Sequence, residues 1–144
     1  MFTTAKDDGL IPYVLTQILD ACVNGITLSD PDLPDNPIVY ANKVFEEMSG
    51  YSQDEIVGRN CRFLQGEDRD QEALATIRAA LENRKACVVT LRNYRKNGEL
   101  FLNRLSIRPL VDREGTVIYY LGVQYDMDHP PGASKEDSDQ VSFA

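Results

Sequence analysis

The chain has 144 residues, 42% of them apolar, and a formal net charge of −8. Its length fits one ordinary domain with a single hydrophobic core. The acidic balance argues against nucleic acid as a direct partner, because proteins bind the phosphate backbone through Lys and Arg.

The sequence carries no sign of export or membrane insertion. No apolar run approaches the ~20 residues that span a bilayer, and the N-terminal MFTTAKDDG lacks the basic and apolar regions of a signal peptide. Three cysteines without CxxC spacing fit neither a disulfide framework nor a zinc site. We therefore expect a cytoplasmic protein with free thiols, no bound metal and no membrane partner.

The first half of the chain predicts a helix, a hairpin and several short helices. Residues 10–23, LIPYVLTQILDACV, have apolar side chains at helical spacing and form the centre of a predicted N-terminal cap, residues 1–24. ITLSD (26–30) and PIVYAN (37–42) predict two short strands joined by a turn-rich segment. From residue 43 to about 83 the pattern is helical, with Ser and Gly at the expected ends of helices.

Three strand-like runs follow at 86–96, 99–110 and 116–127, separated by NG and DREG turn signals. Together with the early hairpin they predict an α+β fold, a five-stranded antiparallel sheet with helices gathered on one face. Residues 25–127 form this predicted core. The polar segment 128–144 is predicted to be a mostly disordered tail.

Two of the late strands turn an Asn toward their apolar face. Alternation groups Asn93 with Leu91 on one strand and Asn103 with Leu105 on the next. The two faces coincide if Lys96-Asn97-Gly98 forms a three-residue hairpin loop. A buried amide is costly without hydrogen-bond partners. Backbone groups or water could satisfy either amide, but a ligand with alternating donors and acceptors would satisfy both.

The last strand adds a third amide. Alternation places Tyr120, Gly122 and Gln124 on one face. A strand Gly sometimes only marks a bulge, but here it also removes a side chain beside Gln124. This combination favours a planar heterocycle lying against the sheet.

The segment NCRFLQG (60–66) adds a thiol and a cation. If Asn60 caps a helical turn, Cys61 and Gln65 stand one turn apart on the same face, while Arg62 is rotated by about 100° from Cys61. Arg78 lies at the edge of the apolar stripe of the long helix. Two Arg side chains can bind a phosphate, although surface ion pairs are the ordinary role of such residues, and a free Cys is commonly inert.

These segments resemble the light-oxygen-voltage (LOV) photosensor branch of the PAS domain family. The similarity runs over about residues 25–127 and rests on five motifs: DPDLPDNPIVYAN (30–42), NCRFLQG (60–66), LRNYRKNG (91–98), FLNRLSIRP (101–109) and GVQYD (122–126). The resemblance implies a PAS/LOV fold and a blue-light receptor that binds FMN, with FAD or riboflavin as partial occupants.

The resemblance also implies a role for each candidate residue. Cys61 is the photoreactive thiol, which forms a reversible light-driven bond to ring carbon C4a, and Gln124 faces the neighbouring ring nitrogen and relays the signal. The remaining candidates bind the cofactor: Arg62 and Arg78 at the phosphate, Asn36 near the ribityl chain, Gln65, Asn93 and Asn103 at the polar ring edges, and Thr27, Ser29, Leu105, Ile107 and Gly122 around the ring. Arg69 is either a further phosphate ligand or a partner of its acidic neighbours.

The expected output is a conformational signal without substrate turnover. We expect a stand-alone short LOV protein that changes its self-association or binds an unknown downstream protein, with a homodimer formed through the N-terminal helix or the outer sheet face. One alternative is the light-input module of a longer sensor histidine kinase or other effector. Another is a redox-sensing flavin PAS domain in which Cys61 is incidental.

Overall fold

The computed structural model describes residues 12–129. The start of the predicted N-terminal helix, residues 10 and 11, and nearly all of the predicted tail, 130–144, lie outside the described residues. The elements in chain order are α1 Pro12–Asp20, β1 Gly25–Ser29, β2 Ile38–Ala41, α2 Lys43–Ser49, α3 Gln53–Ile56, a 3₁₀ helix Cys61–Gln65, α4 Glu72–Glu82, β3 Cys87–Tyr94, β4 Leu100–Val111 and β5 Val117–Asp126.

The five strands form one antiparallel sheet in the order β2-β1-β5-β4-β3. The predicted α+β fold is confirmed. Strand β5 lies at the centre, where it pairs with β1 on one side and with β4 on the other. Its register sets Gly122 opposite Thr27 of β1, and Gln124 opposite Leu105 of β4. The first and last strands therefore bring distant candidate residues into contact.

The predicted inward faces of the late strands are confirmed. Asn93, Asn103 and Gln124 are all buried among aliphatic neighbours. The hairpin between β3 and β4 closes where the N–H of Arg95 donates to the Glu99 carbonyl at 2.9 Å, leaving the predicted three-residue loop. Gly98 in that loop has φ +91°, a left-handed conformation that favours glycine.

Four helical elements cover the inner face of the sheet. Helices α2 and α3 and the 3₁₀ helix contribute Phe45, Met48, Ile56 and Leu64 to a cluster with Phe101 of β4. Helix α4 packs through an apolar stripe onto β3, β4 and β5. No helix within residues 12–129 is long and apolar enough to cross a membrane.

Helix α1 lies against the opposite, outer face of the sheet. Leu15 and Leu19 pack in a cluster with Leu28 of β1 and Tyr119 of β5, whose neighbours in sequence point inward. Within the described residues the helix ends at Asp20, earlier than the predicted residue 23. The Asp20 carboxylate accepts hydrogen bonds from the Tyr40 hydroxyl at 3.3 Å and the Lys43 N–H at 3.0 Å, which ties this end to β2 and α2.

Asn42 joins three elements through one buried side chain. Its Oδ1 accepts from the N–H groups of Phe45, at the start of α2, and Ile26, in β1, at 3.1 and 2.8 Å. Its Nδ2 donates to the carbonyls of Leu19 and Asn24, at 2.8 and 3.1 Å. The residue is fully buried. It therefore caps a helix and also satisfies backbone groups of two other segments.

We expect Asn42→Ala to lower the free energy of unfolding by about 2–4 kcal/mol, the sum of a lost helix cap and of buried backbone groups left without partners. Ser52→Ala is the matched control, because Ser52 caps α3 at an exposed position and its loss should cost only ~1 kcal/mol. Urea unfolding of both variants measures the difference. Equal losses would show that Asn42 acts only as a cap.

Candidate functional site

A cavity of about 390 Å³ lies between the inner face of the sheet and the helices. This volume is in the range of small-molecule sites. Every predicted site residue lines it: Thr27, Ser29, Asn36, Cys61, Arg62, Gln65, Arg69, Arg78, Asn93, Asn103, Leu105, Ile107, Gly122 and Gln124. The fold thus brings all of the candidates to one place.

Two of the amides hydrogen-bond each other but are not fully satisfied. Asn103 Nδ2 donates to Asn93 Oδ1 at 2.9 Å, and Asn93 Nδ2 donates to the Arg92 carbonyl at 3.0 Å. Asn103 Oδ1 is buried without a partner. An oxygen of this kind needs an N–H or O–H donor from a molecule in the cavity.

Gln124, the third amide on the sheet, lies beside the hydroxyl of Thr27. Its Nε2 donates to Thr27 Oγ1 at 3.3 Å, and both residues are buried. A Cβ on Gly122 would stand 2.6 Å from Thr27 Oγ1 and 3.1 Å from Gln124 Nε2. The glycine therefore gives room to Gln124, as its position in the strand predicted, and also to Thr27, which the sequence alone did not reveal.

Asn36 supplies a second buried acceptor. It follows β1 in a tight loop and has φ +47°, a conformation in which Asn is enriched among residues other than Gly. Its Oδ1 is also buried without a partner. The hydroxyl groups of a sugar-like chain are donors of the kind that this oxygen needs.

Cys61 begins the 3₁₀ helix, whose first turn is capped by Asn60 through a hydrogen bond from the Arg62 N–H at 3.0 Å. Ideal 3₁₀ geometry has about 3 residues per turn, so Leu64, and not Gln65, lies directly one turn from Cys61. The prediction that Cys61 and Gln65 share one helical face was therefore wrong. Both nevertheless line the cavity.

The thiol of Cys61 is open to the cavity but poorly solvated. Surrounding protein atoms raise its pKa above the ordinary value, and the nearby Arg62 guanidinium opposes this effect only in part. At neutral pH the group is therefore a thiol and not a thiolate.

Three cations line the cavity, and two of them have partners within residues 12–129. Arg62 forms a two-pronged ion pair with Asp35, one contact at 2.7 Å, and this bond lowers the pKa of that carboxyl. Arg69 donates to the Gly66 carbonyl at 2.8 Å, and its neighbour Asp68 pairs with Arg92 instead. Arg78 is exposed on α4. Asp35 was not anticipated, because 27 positions separate it from Arg62.

Sequence reasoning also missed part of the apolar lining. The additional apolar residues are Ile38, Leu64, Leu74, Ile77, Leu81, Leu91 and Tyr120, and Asn60 is an additional polar one. The signal for two of them was present, because alternation had already placed Leu91 and Tyr120 on the inward faces of their strands. The others are on helices, on the loop before the 3₁₀ helix or, for Ile38, on the edge strand β2, and their position around the cavity depends on the fold.

The residues of this cavity fit a flavin. Aliphatic side chains from β3, β4 and α4 can enclose a flat ring, and the amides can match alternating donors and acceptors along its edge. The unpaired oxygens of Asn103 and Asn36 require donors, and exposed guanidinium groups can meet a terminal phosphate.

Comparisons with known proteins agree with this geometry. The PAS domain family matches residues 23–129. A blue-light photoreceptor of Listeria innocua is 40% identical over 114 residues, 79% of this chain and 45% of the relative. The blue-light-activated histidine kinase 1 of Erythrobacter litoralis is 45% identical over 102 residues, 71% of this chain and 28% of the relative.

A solved light-oxygen-voltage domain, described with a flavin analogue, superimposes with a TM-score of 0.74 at 42% identity, covering 92% of this chain and 93% of that one. The chain belongs to the PAS domain family. Within that family it is a LOV domain, as its motifs predicted. It spans less than half the length of the two curated relatives.

We expect the Cys61 thiol to titrate above the ordinary pKa of about 8.5. A raised pKa means that the folded chain holds this proton more tightly than the unfolded chain. The stability contribution of the thiol is therefore intact below about pH 8.5 and declines as the pH rises toward the folded pKa. The ¹³Cβ shift of Cys61, followed by NMR with Cys22→Ser and Cys87→Ser in place, measures the midpoint. A midpoint below 8 would mean that Arg62 dominates and that a thiolate is present.

Proposed function

We propose that this LOV domain is a blue-light photosensor with FMN as its chromophore. The observation that carries the proposal is that one cavity holds a protonated thiol, four buried side-chain amides and three guanidinium groups. The names of the relatives from Listeria innocua and Erythrobacter litoralis support light sensing. The domain acts as a sensory module that turns over no substrate.

The three cations favour a flavin with a phosphate. Arg62 and Arg78 project from different elements toward the same cavity, so both can bind one terminal group. The Asp35 carboxylate holds the Arg62 guanidinium in place, and a phosphate can share this cation or displace the carboxylate. Arg69 is a third candidate, anchored by the Gly66 carbonyl. FMN has the phosphate that riboflavin lacks.

The bound flavin supplies light absorption and an excited ring to which a nearby thiol adds reversibly. Cys61 serves as that thiol, and its raised pKa keeps the proton on sulfur until illumination. Asn93, Asn103 and Gln65 orient the polar edge of the ring. One ring atom switches from hydrogen-bond acceptor to donor in this reaction. Gln124 can respond to that switch, because its amide can offer either N–H or C=O to the ring atom.

The output proposed here is altered self-association or binding of a downstream protein in the cytoplasm. Helix α1 packs Leu15 and Leu19 against the sheet of its own chain. Val14 and Ile18 remain largely exposed and could contact a second copy of the chain. The outer face of β3 and β4 also exposes Val88 and Leu102. Because the chain covers only part of the curated relatives, the alternative role as input module of a longer sensor kinase stays open.

The photochemical part of the proposal rests on Cys61. Cys61→Ala should still bind flavin, because the amides and cations remain, but it should lose reversible bleaching under blue light. Cys87→Ala is the matched control, since Cys87 is a partly buried thiol on β3 that does not line the cavity. Absorption spectra before and after illumination measure the effect. Reversible bleaching in the Cys61 variant would mean that the choice of thiol is wrong, whereas a wild-type protein that does not bleach reversibly would favour the redox sensor.

The choice of FMN rests on the guanidinium groups. Arg62→Gln combined with Arg78→Gln should reduce the preference for FMN over riboflavin by about tenfold or more, because charge-assisted hydrogen bonds are worth ~1.5–3 kcal/mol each. Arg113→Gln, in the exposed β4–β5 turn, has half the charge change and should leave the preference unaltered. Calorimetric titration with both flavins measures the ratio. A wild-type protein that prefers riboflavin would contradict the proposal.

A further inference from the structure

Thr27 and Gln124 form a polar pair across the two central strands. Thr27 is in β1, Gln124 is in β5, and 97 positions separate them in the sequence. Gln124 Nε2 donates to Thr27 Oγ1 at 3.3 Å. Both side chains are more than nine-tenths buried, and both line the cavity. The hydroxyl thus lies directly beside the amide that the proposed function assigns to signalling.

The backbone opposite Thr27 is adapted to this contact. Gly122 pairs with Thr27 in the β1–β5 register. A Cβ at Gly122 would stand only 2.6 Å from Thr27 Oγ1, closer than real Cβ contacts allow, and 3.1 Å from Gln124 Nε2. Because the glycine has no side chain, the hydroxyl and the amide can both lie over it. Any larger residue would push the two groups apart.

A hydroxyl suits both orientations of an amide. Thr can accept a hydrogen bond through its lone pairs or donate one through its own proton, whereas an amide presents N–H on one side and C=O on the other. In the orientation seen here Thr27 accepts from Nε2. If the amide rotated so that Oε1 took the place of Nε2, the same hydroxyl could rotate and donate to Oε1. The pair therefore keeps one hydrogen bond in each orientation.

We propose that Thr27 is a positioning residue for Gln124. Its hydroxyl holds the amide against the cavity in either of two orientations, and so sets how easily the amide rotates from one orientation to the other. This inference rests on the proposed function for its consequence in light. Its structural content, a hydrogen bond between Thr27 and Gln124, holds in the dark as well. The two parts can therefore be tested separately.

The dark test uses Thr27→Val and Thr27→Ser in the flavin-loaded protein. Val has nearly the shape of Thr without a hydroxyl, and Ser keeps the hydroxyl without the methyl group. The side-chain NH₂ resonances of Gln124 should shift in the Val variant and stay near their wild-type positions in the Ser variant. Unchanged resonances in the Val variant would overturn the hydrogen bond and with it the proposal, whatever the protein does in light.

The light test compares the same change in two backgrounds. Thr27→Val should alter the rate of dark recovery by about threefold or more when Gln124 is present, because the lost hydrogen bond stabilises the illuminated state and the transition state of recovery to different extents. In a Gln124→Leu background the same substitution should alter the rate by less than about 1.5-fold. Thr27→Ser should recover within about twofold of wild type.

The outcomes separate the two proposals. Equal effects of Thr27→Val in both backgrounds would mean that Thr27 acts by packing against the cavity, which overturns the positioning role. A wild-type protein that does not bleach reversibly overturns the proposed photosensor function, while the NMR comparison still decides the Thr27–Gln124 contact. Coupled rates together with a shifted Gln124 resonance would support both.

Discussion

A polar group buried away from water must be hydrogen-bonded, and this constraint accounts for most of the design of the cavity. The inner face of the sheet is mostly apolar, and hydroxyls and side-chain amides are the polar groups that line the cavity from it. Asn93 and Asn103 satisfy each other only in part, and Gln124 shares a bond with the Thr27 hydroxyl. The unpaired oxygens of Asn103 and Asn36 then define what a bound molecule must supply, namely donors at two separate places. A flavin offers donors on its ring edge and on its sugar-like chain.

The distribution of charge around the cavity also reflects the cost of removing polar and charged groups from water. The polar groups that line the cavity from the sheet are neutral amides and hydroxyls, and the 3₁₀ helix adds the neutral thiol of Cys61, whose pKa is raised by burial. The cations are on the more exposed elements, where Arg62 and Arg78 keep contact with water. Charge is thus confined to the end where a phosphate could be bound without burying an unpaired ion. Cations on the buried face of the sheet would cost far more free energy, because unpaired charges would be removed from water.

The central strands connect the cavity to the outer face of the sheet. In β5, Tyr120, Gly122 and Gln124 face the cavity, while Tyr119 and Leu121 contact the cluster that holds α1. Alternation along a strand puts these two sets one residue apart. A shift of the Gln124 backbone would therefore be felt by the contacts of α1. This strand offers a direct physical route from the proposed light reaction to the surface.

Local pattern predicted a large part of the fold and of the site. Alternation in the last three strands correctly placed Asn93, Asn103 and Gln124 inward, because side chains of a strand point to opposite faces in turn. The chemical types of these residues also indicated a flat ligand with polar edges. Local pattern did not show that residues 61–65 form a 3₁₀ helix, or that α1 ends at Asp20, whose carboxylate is bonded to Tyr40 and Lys43.

The sequence by itself thus determined which strands exist, which way their side chains alternate and which groups are able to bind a cofactor. Only the tertiary structure decided which of those groups meet. Asp35 pairs with Arg62, which lies 27 positions further along the chain. Thr27 pairs with Gln124 across a separation of 97 positions. Such contacts depend on the order and register of the strands and on how the loops cover them. Those features are set by packing of the whole chain, and no short stretch of sequence encodes them.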